Sequence, residues 1–281
     1  MPCALPSQIL VAFAFVTGSA FAQSFVNLNF AQNVQPTNAI YPNNSTLGPE
    51  YFSGLTFDFI NVAFVNGLAV DARVSLVSST PGYDFVGYLP NYNTAPEGPE
   101  GDLGVYYRYN GDLNNPTGGI GYTISFYESG SNFTTSKTLS NLRFLIYDHD
   151  GEPTQSETIR TYNSDGYTGY QSNNGSGIQG FNEGSSWRFN SRGQNFAEDT
   201  ADGGFIAYYE NTSSVRFDIY STTTGGPVAN YGVFTAFDGD LSLTNGSTSG
   251  FGAFVAVPEP STPLLAITSL LLILTHRRRS R

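Results

Sequence analysis

The feature that most constrains this chain is a dominant period-two alternation of apolar and polar residues in short runs. Residues 24–30 read S-F-V-N-L-N-F, 55–59 L-T-F-D-F, 73–77 R-V-S-L-V and 105–109 V-Y-Y-R-Y. The same pattern returns over 122–127, 142–147, 215–220 and 233–237, with shorter segments around Phe85, Trp187 and Phe205. A period of two places successive side chains on opposite faces, which suits half-buried strands. Gly, Asn, Pro and Asp gather between the runs, as turns require. No ten-residue window carries a 3.6-residue period. About a dozen short strands predict an all-β fold, an antiparallel β-sandwich that is jelly-roll-like.

Composition supports that reading and narrows the partners. Of 281 residues, 12% are charged and 15% aromatic, against about 25% charged in ordinary domains. The 22 Phe and 18 Tyr exclude a disordered chain. With the two ends set aside, the remainder suffices for one large all-β domain or two small ones. The net charge is −11, and four of the twelve basic residues are Arg277, Arg278, Arg279 and Arg281. The rest of the chain is therefore more acidic still, and a phosphate backbone would be repelled. This excludes nucleic acid as a partner. Cations and neutral glycans remain compatible.

The N-terminus reads as an export signal over 1–22. An apolar run covers residues 9–16, and Ala20 and Ala22 form the A-x-A pattern that signal peptidase cleaves. No Lys or Arg precedes the run. The single cysteine, Cys3, falls inside this segment, so the mature domain, 23–256, has no disulfide, no thiolate metal site and no cysteine nucleophile.

At the other end, Val257-Pro258-Glu259-Pro260 precedes an apolar run over 264–275 and then His276-Arg277-Arg278-Arg279. The prolines isolate an extended segment. As a helix the run reaches about 18 Å, and snorkelling arginines narrow the gap to a bilayer core. The basic cluster is expected on the cytoplasmic side. This tripartite segment, 257–281, resembles the PEP-CTERM sorting signal of exported bacterial proteins. The resemblance implies that Pro258, Glu259 and Pro260 are recognised by an exosortase. It implies a transient inner-membrane tether through the apolar helix, with Arg277, Arg278 and Arg279 as its basic tail. It then implies release or attachment at the cell surface, in bacteria that make exopolysaccharide and biofilm.

Two stretches read as long loops, 91–102 and 164–204. The second is the candidate boundary between two halves, or a surface insertion. Forty structureless residues would be unusual, so short strands are expected inside it.

Chemistry concentrates after the most apolar run, in Tyr147-Asp148-His149-Asp150-Gly151-Glu152, with Glu157 beyond. Asp148, Asp150 and Glu152 alternate at a strand end and Gly151 permits a tight turn. Hard oxygens so spaced can converge on calcium, joined by Glu157. It is no EF-hand, because the twelfth loop position is Ile159. A strand followed by Asp-x-Asp-Gly and a later Glu also resembles exported β-sandwich domains, adhesin-like proteins included. The competing reading has Asp148 and Asp150 capping a turn. Asp238-Gly239-Asp240 is a second candidate. His149 is the one histidine of the mature domain, and no Gly-x-Ser-x-Gly elbow accompanies it. No catalytic residue is singled out. Trp187, Tyr167 and Tyr170, with Tyr88 and Tyr92, are candidates for stacking on sugars, against the reading that they are core residues.

These features predict a non-enzymatic cell-surface or matrix protein of structural or adhesive type, sorted by an exosortase. A calcium-dependent glycan-binding module, with exopolysaccharide or surface glycans as partners, is the alternative. A carboxylate-based glycosidase is the third, since it needs only two acids at a suitable separation.

Overall fold

The computed structural model describes residues 24–30, 33–34, 56–80, 83–92, 101–109, 117–149, 151–152, 154–191, 193–196, 200–223 and 232–258. The expected signal helix and C-terminal helix lie outside these residues. Strands run in chain order as β1 (Asn33–Val34), β2 (Thr56–Val65), β3 (Leu68–Ser79), β4 (Tyr83–Tyr92), β5 (Asp102–Tyr109), β6 (Thr117–Glu128), β7 (Leu139–Tyr147) and β8 (Gly151–Glu152). They continue as β9 (Gln155–Tyr162), β10 (Tyr167–Ser172), β11 (Gln179–Asn182), β12 (Ser186–Asn190), β13 (Phe205–Thr212), β14 (Ser214–Thr223), β15 (Gly232–Asp238) and β16 (Val255–Ala256). Among the described residues there is no α-helix, only two single-turn 3-10 segments. No described helix is long and apolar enough to cross a membrane.

The strands form two antiparallel sheets. A nine-stranded sheet has the order β1-β2-β3-β6-β14-β9-β12-β11, with β8 beside β9. A seven-stranded sheet has the order β16-β10-β13-β7-β15-β5-β4. From β5 onward most consecutive strands change sheet, so the chain laces the two layers together. The segment 164–204 joins in this lacing: β10 enters the seven-stranded sheet, and β11 and β12 the nine-stranded one.

Aromatic rings join the layers. Phe217 on β14 lies 4.9 Å from Phe237, 5.9 Å from Phe144 and 6.3 Å from Tyr209, all on the opposite sheet. Thr161 on β9 and Tyr209 on β13 share a hydrogen bond of 2.7 Å across the same interior. Each buried ring removes on the order of 150–250 Å² from water, so this layer dominates the favourable side of folding.

The outer face of the nine-stranded sheet is polar, with Arg160 and Arg188 both bonded to Glu183 at 2.8 and 2.7 Å. The seven-stranded sheet is covered on both faces. Leu145, Tyr147, Ile206, Tyr208 and Ala236 point outward and are buried by Leu241 and Phe251, with Phe25 packed against them. That explains the near-continuous apolar run over 142–147, since a strand buried on both sides cannot alternate.

Residues 24–30 differ from expectation. They alternate as predicted, with Leu28 and Phe30 buried, but no ladder strand forms. Their backbone donates to four separate places instead, at Asn141, Gly239, Val62 and Gly101. The segment laces one region of the fold together rather than pairing along one neighbour.

Candidate metal centre

The end of β7 divides the polar chemistry of the molecule. Tyr147 points to the covered outer face and its hydroxyl donates to Asp102 Oδ2 at 2.6 Å. Asp148 then takes a left-handed conformation, φ 53°, which Asp tolerates better than most residues. In an unbroken strand His149 would share the face of Tyr147. The left-handed step turns it into the interior instead, edge-on to Phe205 at 6.0 Å.

On the outer face three carboxylates converge. The β5–β15 pairing sets Leu103 opposite Phe237, which brings Asp102 and Asp238 together at the ends of their strands. Asp240 folds back over them. Asp102, Asp238 and Asp240 each offer a ligand atom within 4.8 Å of the others. The loop is wrapped around Asp238: Asp240 N donates to Oδ1 at 2.9 Å and Leu243 N to Oδ2 at 3.0 Å. Ser242 N donates to Asp240 Oδ1 at 2.9 Å. Leu241, φ 61°, accepts a strained conformation to place its side chain in the outer apolar cluster. Gly239 carries no side chain because a Cβ there would overlap Leu28.

Burial raises the Asp238 carboxyl to about 7, opposed by the two backbone donors and reinforced by the Asp240 charge. Arg143 is half-buried, and burial holds its pKa below the usual value although Tyr208 and both acids favour its charge. It makes no ion pair within 4 Å among the described residues. Three oxygen ligands of like charge, one retaining its proton near neutrality, form an arrangement that a hard divalent cation can complete by displacing that proton.

The acids expected to bind calcium fall elsewhere. Asp148 is buried at the turn and Glu157 is buried on β9. Neither joins a third described acid or histidine at ligand distance. Asp150 and the Glu152 side chain lie outside the described residues. His149 is fully buried, with Nδ1 3.9 Å from Glu157 Oε2. Neither ring nitrogen makes a hydrogen bond of standard geometry. Burial pushes its pKa down to about 4, opposed by a backbone contact with Phe189 that falls short of standard hydrogen-bond geometry.

The proposed sugar-stacking residues Trp187, Tyr167 and Tyr170 pack in the main core with 6%, 4% and 9% of their surface exposed. They correspond to the core reading: Trp187 packs tilted against Tyr167 and Tyr170, and Tyr170 lies edge-on to Phe189. Tyr88 and Tyr92 lie on β4, where their side chains fall outside the described residues. Pro258 is exposed, two residues after the end of the last strand. Ala20, Ala22, Glu259, Pro260, Arg277, Arg278 and Arg279 lie outside the described residues.

Sequence reasoning found Asp238 and Asp240 by their spacing but missed Asp102. The signal for Asp102 is its place at the head of a V-Y-Y-R-Y strand, which means nothing until that strand's partner is known.

No protein-family model matches the chain, and no curated protein matches it. Among solved structures it is similar to the N-terminal domain of the Streptococcus gordonii adhesin Sgo0707, at 15% identity and a TM-score of 0.44. The match covers 66% of this chain and 46% of that one, so the chain spans under half of that structure's length.

Proposed function

We propose that this chain is an exported bacterial surface or matrix protein, a jelly-roll-like sandwich of structural or adhesive type delivered by an exosortase. The observation that carries the reading is the junction between fold and motif. Val257 N makes a hydrogen bond to Thr168 at 2.8 Å, and the next residue, Pro258, has no N–H to continue the pairing. Pro258, the first residue of the Pro-Glu-Pro motif, therefore stands exposed where the sheet stops. Chemistry on the chain belongs to the exosortase, and the sandwich itself performs none.

The test is to follow the full chain in a host with an exosortase and in the same host lacking it. Cleavage near residue 258 and surface delivery are expected only in the first, and Glu259→Ala should block both. Equal processing in the two hosts would overturn the reading.

A second reading, calcium dependence of the sandwich, is favoured by the convergence of Asp102, Asp238 and Asp240. Millimolar calcium should raise the melting temperature of the full chain by several degrees over EDTA, through binding to the folded state alone. Asp240→Asn should remove the shift and Asp148→Asn should leave it. A shift lost with Asp148 instead would return the ion to the turn after β7.

A further inference from the structure

The covered face of the seven-stranded sheet is interrupted by a cleft of about 300 Å³ above β10 and β13. Its floor is Tyr208. Phe25 and Phe254 each stand 5.4 Å from the Tyr208 ring, inclined at 57° and 79° to it, so the three rings make a floor with two walls. Phe254 keeps 49% of its surface exposed, unusual for a side chain held in place on both sides. It is held because Gly169 lacks a side chain: a Cβ there would overlap the Phe254 ring and the Val255 carbonyl.

The remaining lining is polar. Thr168, Gln171 and Glu210 face the cleft. The Tyr208 hydroxyl donates to the Gln171 side-chain oxygen, and Gln171 Nε2 donates to the Gly252 carbonyl at 2.8 Å. Those bonds fix the amide while leaving one N–H and one lone pair unused. The Thr168 hydroxyl donates to the Tyr208 carbonyl at 3.3 Å, so its own lone pairs stay available.

We propose that this cleft binds one neutral sugar ring of a longer glycan. The apolar C–H face of a pyranose would lie on Phe254, with its hydroxyls reaching Gln171, Thr168 and Glu210. The volume stands at the lower end of ligand cavities, enough for a single ring. Acidic sugars are disfavoured by Glu210 and by the net charge of −11. A quaternary ammonium guest would suit three rings, but Arg143 lies 4.9 Å over Phe25 and opposite Tyr208 in the ladder. That charge behind two of the rings opposes a cation. The site shares no residue with the Asp102–Asp238–Asp240 cluster, so it stands without the calcium reading and without the sorting reading.

The test uses the full chain in a detergent that carries neither a sugar nor a quaternary ammonium group. Methyl glycosides of glucose, galactose, mannose and N-acetylglucosamine are compared with methyl glucuronide and choline by saturation-transfer NMR and calorimetry. At least one neutral glycoside should bind, with equal affinity in EDTA and in calcium. Phe254→Ala should weaken it about tenfold, a loss of about 1.4 kcal/mol, with the melting temperature little changed. Glu210→Ala, on the exposed rim, should weaken it also and does not touch the packing of β16. The assignment is overturned if no neutral glycoside binds, or if both variants bind as the parent does. It is equally overturned if glucuronide or choline binds as tightly, or if EDTA abolishes binding.

Discussion

Two buried polar regions leave the end of β7 in opposite directions, and burial treats them alike while hydrogen bonding does not. On the outer face, Asp102 and Asp238 are sealed in but supplied with donors from Tyr147, Asp240 and Leu243. On the inner face, His149 is sealed in with no standard hydrogen bond to either nitrogen. Desolvation drives both toward their neutral forms, raising Asp238 and lowering His149. The difference lies in what each neutral group can do next. Asp238 sits among oxygens that would welcome a cation in place of its proton. His149 sits against Phe205 and contributes shape. A buried titratable group is a site only where its neighbours share its chemistry.

The largest break in that comparison comes from Asp238→Ala. It leaves the Asp240 and Leu243 N–H groups without acceptors, at about 1–3 kcal/mol each. A loss of about 4 kcal/mol in denaturant unfolding is expected. Asp238→Asn keeps one acceptor and should lose about half as much. Equal losses for the two variants would show that the loop is held by charge rather than by its two backbone bonds.

The pH dependence sharpens the comparison, because the two groups have opposite signs. Without a metal, Asp238 has a folded pKa of about 7 against an ordinary value of 3.8. Its contribution is complete below the unfolded value and is lost as pH rises toward 7. His149 has a folded pKa of about 4 against 6.5. Its contribution is complete above 6.5 and is lost as pH falls toward 4, a loss of about 3 kcal/mol by the usual conversion. Between pH 4 and 6.5 the two slopes oppose each other. In EDTA the stability profile should therefore be nearly flat across that window as far as these two groups are concerned. His149→Leu should tilt it so that stability falls with rising pH, and Asp238→Asn should tilt it the other way. Urea titrations of the three proteins at half-unit pH steps would read this directly. Parallel profiles would mean that neither group titrates in this range.

How much of this was legible follows from what each element buries. Strands such as β14 and β6 announce themselves because Val215, Phe217 and Ile219, or Ile120, Tyr122 and Ile124, fill one face. β9 stays hidden for a physical reason. It alternates perfectly, but its inward side chains are Gln155, Glu157, Ile159 and Thr161, so a hydrophobic pattern cannot reveal it. Those polar groups face the interior where His149 enters, and the turn after β7 is polar on both sides of the sandwich wall. Trp187, Tyr167 and Tyr170 misled in the opposite sense. They lie among Gly, Asn and Ser and look like loop aromatics, but β10 and β12 carry them into the core. The acid cluster was half legible: spacing reveals Asp238 and Asp240, while Asp102 arrives only through the register of β5 on β15.

The smallest expected effect tests the comparison most severely. At pH 7.5 His149 is neutral, and its ring nitrogens make no standard hydrogen bond. Replacing it with Leu conserves most of the volume and removes two polar atoms that make no hydrogen bond of standard geometry. The edge contact with Phe205 is lost in exchange. Volume-conserving swaps of this kind cost under about 1.5 kcal/mol, and removal of those polar atoms offsets part of that. The net change should therefore lie within about 1 kcal/mol, with the calcium response untouched. A loss of more than about 2 kcal/mol would mean that a nitrogen of His149 holds a real partner, with the Phe189 backbone the first to examine and Glu157, 3.9 Å away, the second. The inner region would then be a satisfied polar site like the outer one. The contrast between them would reduce to the sign of their titration.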